Sequence, residues 1–131
     1  MKNWVAMIVM LAAVISMTAP PTLAHHSSAA FDLEHPTTVK GTVTKFEWSN
    51  PHAFIYIDAK GKNGAIEPWR VEANSPNMLT RVGWKRDMIN KGDEVSVTGA
   101  PAKNGTKVMR LESVMLANGH KLDGQGFSYG H

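Results

Sequence analysis

The sequence predicts an all-β domain, a small five-stranded barrel with one short helix between its third and fourth strands. Three observations predict it. Apolar and β-branched residues gather in five separate strand-like stretches. Clusters of Gly, Asn, Asp and Pro punctuate the intervals between them. Helix start and stop signals bracket a single segment, 75–83.

Residues 1–24 read as an address. Lys2 gives a positive start, residues 4–17 are nearly unbroken apolar, and Ala19-Pro20-Pro21 breaks any helix. Thr22-Leu23-Ala24 then places small residues three and one before a cleavage point, which is signal-peptide grammar. The apolar run is about 14 residues, short of the roughly 20 that span a bilayer. The expectation is an exported protein, periplasmic or secreted, with a mature chain starting at His25 and no membrane span after cleavage.

Residues 25–38 lack a sustained period and are expected to form an N-terminal arm, with Phe31 and Leu33 as docking points. The barrel is placed at 39–118. In its first strand Val39, Gly41 and Val43 share one parity while Phe46 and Trp48 share the other. That phase change predicts a bend or bulge near Thr44-Lys45. Asn50-Pro51 is a turn signal, and residues 52–59 are apolar on both parities, as in a strand that is covered on both faces or lines a site. After the loop 60–64, residues 66–73 place Trp69, Val71 and Ala73 on one face and Arg70 and Glu72 on the other. Ser75-Pro76 opens the helix as cap and first-turn residue, Met78, Leu79 and Val82 form its apolar stripe, and Gly83 ends it. Lys91-Gly92-Asp93 is a tight turn, 94–99 alternates with Val95 and Val97 inward, and 106–116 is a long last strand that also changes phase. Residues 119–131 are Gly-rich and are expected to be a flexible tail. Three strands, a helix and two strands, with long phase-changing strands at both ends, match an OB-like barrel; another small open barrel or a sandwich is the alternative.

Composition narrows the function. The chain has 131 residues, no Cys and a formal net charge of +3. One domain fits that length, no thiolate chemistry is available, and the charge is too small for strong nucleic-acid binding. No Gly-x-Ser-x-Gly elbow or phosphate loop occurs. Glu47 and Glu72 could pair across strands, but alternation favours a solvated face. No catalytic set stands out, so a binding role is expected over an enzyme.

The segments VKGTVTKFEWSNPHAFIYID, PWRVEANSPNMLTRVGW and GDEVSVTGAPAKNG resemble a family of small exported bacterial proteins that carries only a domain-of-unknown-function label. The Ala-His-His-Ser junction at 24–27, Trp-Ser-Asn-Pro-His at 48–52, Gly83-Trp84 and the Gly-Asp-x-Val turn at 92–95 carry the resemblance. It implies a small β-barrel and no established activity.

Six histidines are present. Cleavage after Ala24 gives His25 a free α-amine beside its imidazole, and the amine is easily deprotonated by a metal because its pKa is about 7.7–8.0. With a second His these form a planar three-nitrogen set, which favours copper as Cu(II). The junction alone is similar to the histidine brace of exported copper-binding proteins and copper monooxygenases. His52, held after a stiff turn, is the first candidate for the second ligand, and His26 the next. His35 sits on the arm, where Asp32 and Glu34 could supply an oxygen. His120 and His131 are expected in the solvent. A metal-free module is the alternative, holding a small ligand, glycan or protein partner on an aromatic face formed by Trp48, Asn50 and Tyr56. A copper redox enzyme is a third reading, disfavoured because no substrate platform is visible.

Overall fold

The computed structural model describes residues 29–124. Its elements are β1 (Thr37–Glu47), β2 (Phe54–Lys60), β3 (Ile66–Glu72), α1 (Pro76–Arg81), β4 (Glu94–Pro101), β5 (Val108–Leu116) and β6 (Lys121–Asp123). The antiparallel order β3-β2-β1-β4-β5-β6 is closed by a parallel pairing of β3 with β5. Five strands therefore form a closed barrel of the OB type with the helix between β3 and β4, and β6 continues the sheet outside β5.

β1 serves both halves of the barrel. Its first half pairs with β4, from Thr37 opposite Gly99 to Thr42 opposite Glu94. Its second half pairs with β2, from Gly41 opposite Ala59 to Glu47 opposite Phe54. The register shifts between Val43 and Lys45, at the expected place, so inward residues pass from Val43 to Phe46. β5 changes phase the same way. Thr98 lies opposite Ser113 but Gly99 opposite Leu111, so Glu112 is the extra residue and inward positions move from Met109 and Leu111 to Val114.

The core follows the alternation. Val43, Ile55, Ile57, Val71, Val97, Leu111 and Val114 are buried, as are Trp69 and Trp84. α1 carries Leu79 into this core, which is worth about 1.5–3 kcal/mol on area grounds. The Ser75 hydroxyl accepts from the Met78 N–H at 3.4 Å, and Pro76 opens the first turn. Only Leu79 of the expected stripe is buried; Met78 and Val82 stay exposed because a six-residue helix offers a single residue to the barrel.

Both ends of the domain are longer than the sequence suggests. Thr37 and Thr38, placed in the arm by sequence, belong to β1. Upstream of them, Phe31 is buried and bridges Ala102, while Leu33 is exposed. At the other end, β6 lies in the segment expected to be a loose tail. It pairs with Ser113–Met115 and buries Leu122, an alternation too short to read from three residues. Residues 1–28, including the expected signal segment, His25 and His26, lie outside the described residues, as does His131. Among the described residues no helix is long and apolar enough to cross a membrane.

Candidate functional site

The outward-facing side chains of β1, β2 and β3 form one surface, because antiparallel partners directly opposite one another point to the same face. Glu47, Phe54 and Glu72 make one row across it, and Lys45, Tyr56 and Arg70 the next. His52 stands at its end. The β2–β3 ladder runs past the strands there: the Ala53 N–H donates to the Asn74 carbonyl at 3.1 Å and the Ala73 N–H to the Ala53 carbonyl at 2.9 Å. Ala53 is buried, so His52 keeps the outward parity of Phe54 and Tyr56.

His52 is held at one ring nitrogen and faces a carboxylate with the other. Nδ1 lies 3.1 Å from the Ala73 carbonyl oxygen, which can only accept, so Nδ1 carries the proton. Nε2 points toward the Glu72 carboxylate, with Oε1 at 3.6 Å. The ring is about a third exposed, and Glu72 less so. A histidine fixed this way offers the Nε2 lone pair in a set direction, beside a negative charge.

The aromatic part of the face is capped by cations. Phe54 and Tyr56 lie 6.4 Å apart between ring centroids. The Arg70 guanidinium sits 4.1 Å over Phe54, and the Lys45 ammonium 5.7 Å over Tyr56. Lys45 also pairs with Glu47. The hydrogen bond to Glu47 and its charge, with a smaller contribution from Tyr56, raise the Lys45 pKa above its ordinary value against a small desolvation cost.

The residues singled out by sequence are only partly brought together. Tyr56 and His52 share the outer face. Trp48 does not: it keeps the inward parity of Phe46, meets that ring edge-on at 5.8 Å and packs against the core. Asn50 is exposed in the turn before His52. His35 sits on the arm and engages Asp32 through Nδ1, at 3.1 and 3.0 Å from the two carboxylate oxygens. His120 is exposed in the turn before β6. Glu47 and Glu72 do not pair with each other, since both flank Phe54; one meets Lys45 and the other His52. Sequence reasoning passed over Phe54 and Arg70 as a stacked pair. Arg70 was visible on the face opposite Trp69, but a strand apolar on both parities hid the outward position of Phe54, and the register that sets Tyr56 opposite Arg70 and Phe54 next to it was not legible. Among the described residues no three His, Asp or Glu side chains converge in a way that could hold a metal ion.

A search of curated proteins finds no match. Among solved structures, the chain is similar to a mitochondrial single-stranded DNA binding protein from S. cerevisiae, with 12% identity, a TM-score of 0.49, and coverage of 63% of this chain and 93% of that one. A family profile matches residues 12–110, most of the barrel included. The chain belongs to the Family of unknown function (DUF6152).

Proposed function

We propose that this protein is an exported binding module whose working surface is the His52 end of the outer β1–β2–β3 face, and that it takes up Cu(II) there through the amine and ring of His25 together with Nε2 of His52. One observation carries the reading: the Ala73 carbonyl engages Nδ1 and leaves Nε2, 3.6 Å from the Glu72 carboxylate, as the nitrogen open to a metal. Metal-ligating histidines are commonly held this way, with the second ring nitrogen donating to a backbone carbonyl. The two nitrogens of His25 would complete a set suited to Cu(II), and the Glu72 carboxylate would offset part of the added charge.

The test is a Cu(II) titration by calorimetry against a competing chelator, on protein whose N-terminus is His25. Affinity falls strongly in His52→Ala and in a form carrying one extra residue before His25. Equal affinity in all three rejects the site. Affinity lost in the extended form but kept in His52→Ala assigns the copper to a local His25-His26 chelate instead.

A metal-free reading is favoured by a different observation, the adjacent Phe54 and Tyr56 rings. A sugar ring or a partner side chain could stack there once the Arg70 and Lys45 head groups swing aside. Ligand-dependent NMR shifts confined to Phe54 and Tyr56, in protein that binds no Cu(II), would support this reading over the first.

A further inference from the structure

The sequence holds three Asn-Gly pairs, at 63–64, 104–105 and 118–119, and each stands in the turn of an antiparallel hairpin. The turns are built alike. Gly64, Gly105 and Gly119 have φ of 81°, 80° and 85°. Each of these glycines donates its N–H three residues back: Gly64 to the Gly61 carbonyl at 2.9 Å, Gly105 to Ala102 at 3.3 Å and Gly119 to Leu116 at 3.0 Å. Each Asn Oδ1 accepts the N–H two residues on, from Ala65 at 3.1 Å, Thr106 at 3.1 Å and His120 at 2.9 Å.

An Asn-Gly pair can react with itself. The Gly nitrogen gives up its proton to base and bonds to the Asn Cγ, the bond from Cγ to the side-chain nitrogen breaks, and ammonia leaves. Water then opens the resulting succinimide at either carbonyl, to aspartate or isoaspartate. Glycine has no Cβ to crowd the ring closure. In the closed turn the attacking N–H is tied to a carbonyl and the carboxamide is pinned, so the reaction waits for the turn to open.

We infer that Asn118 is the site at which this chain converts to aspartate and isoaspartate, and that β6 sets the pace. The Asn63 turn joins two seven-residue strands of the closed barrel, and the Asn104 turn joins strands of eight and nine residues. Asn104 is clamped a second time by the Thr106 hydroxyl, at 2.7 Å. The Asn118 turn joins β5 to β6, three residues at the edge of the sheet with one buried side chain, Leu122. A short edge segment with little buried apolar surface opens more often than a barrel hairpin. Conversion also acts back on the strand. Isoaspartate lengthens the backbone of a turn closed by the Leu116 N–H on the His120 carbonyl at 2.9 Å. Either product adds a negative charge, in a cavity of about 230 Å³ that Asn118 shares with Asp93 and Glu94. Both changes loosen β6.

The test incubates the folded protein at mildly alkaline pH and follows each Asn by peptide mapping with mass spectrometry. Asn118 is expected to convert about tenfold faster than Asn63 and Asn104, which corresponds to about 1.4 kcal/mol less opening free energy. In concentrated denaturant the three rates should converge, since every turn is then open. Leu122→Ala should speed Asn118 more than the other two sites. Hydrogen exchange on the unaltered protein reads the same opening without a variant, with the Gly119 N–H exchanging faster than those of Gly64 and Gly105. Equal conversion rates in the folded protein, a lead by Asn63 or Asn104, slower exchange at Gly119, or an equal acceleration of all three sites by Leu122→Ala would overturn the inference.

Discussion

The Trp84 indole Nε1–H donates to the Asp123 carbonyl oxygen at 2.7 Å, tying the segment after α1 to the last strand of the sheet. Trp84 is almost wholly buried, and Leu122 is buried one residue before the acceptor. The Asn74 amide adds a second tie, donating to the Gly124 carbonyl at 3.0 Å. β6 is therefore a structural part of the domain, and its removal would uncover the bottom of the core.

Leu122→Ala is expected to destabilise the protein by about 2–3 kcal/mol, as for a buried leucine whose site collapses only in part. Trp84→Phe should cost about 1–2 kcal/mol by leaving the Asp123 carbonyl without this donor and removing part of the indole. Because the two side chains meet through the same short strand, the double variant should cost less than their sum. Urea denaturation of the four proteins measures this coupling.

Two glycines separate backbone strain from steric exclusion. Gly92 has a φ of 93°, and a Cβ placed on it would meet no atom within 4 Å. Gly92→Val should cost about 2 kcal/mol, entirely from a β-branched residue forced into the left-handed region. Gly99 sits at the β4–β5 register shift, where a Cβ would lie 2.2 Å from the Arg110 carbonyl oxygen. Gly99→Ala should cost about 3 kcal/mol or more, since backbone must move. An unchanged denaturant midpoint in either variant would contradict the corresponding cause.

Asp32 gives the arm a pH dependence. Partial desolvation pushes its carboxyl up, but the hydrogen bond and charge of the His35 ring, with the backbone N–H groups of His35 and Glu34, outweigh this and hold its pKa below the ordinary 3.8. A carboxyl lowered on folding contributes stability that is present above its unfolded pKa and is lost as pH falls through the folded value. The turn that the Asp32 carboxylate closes onto His35 should therefore loosen only below about pH 4. NMR titration of the Asp32 carboxyl in wild type and His35→Ala checks this; the variant should titrate at higher pH. Identical curves would remove His35 as the cause.

The Glu72 carboxylate separates the copper reading from a purely structural role for His52. Glu72→Gln should lower Cu(II) affinity about tenfold while leaving the fold intact, because the amide keeps the shape and loses the charge beside Nε2. Affinity should fall steeply as pH drops toward 5 in both proteins, since the ring and amine must shed protons to ligate. Calorimetric titration at several pH values reads both effects. A Glu72→Gln affinity equal to wild type would show that the carboxylate does not act on the bound ion.

By itself the sequence determined what local periodicity and turn chemistry can specify. The shared face of Trp69, Val71 and Ala73, the inward parity of Val95 and Val97, the phase change at Thr44-Lys45, the Ser75 cap and the turn at Gly92 all follow from residues within a few positions of one another. Parity also placed Arg70 and Glu72 together on the face opposite Trp69, while residues 52–59, apolar on both parities, left the outward set of β2 open. Tertiary structure alone decided which of them became neighbours. Register across β2 and β3 sets Glu72 at His52, and the β3–β5 pairing that closes the barrel sets Lys107 against Trp69. It also recruited Lys121–Asp123 as a sixth strand and turned Trp48 inward onto Phe46. Parity is a property of one strand, whereas register and closure depend on pairing energies between segments tens of residues apart, and a single bulge in either strand resets every contact beyond it.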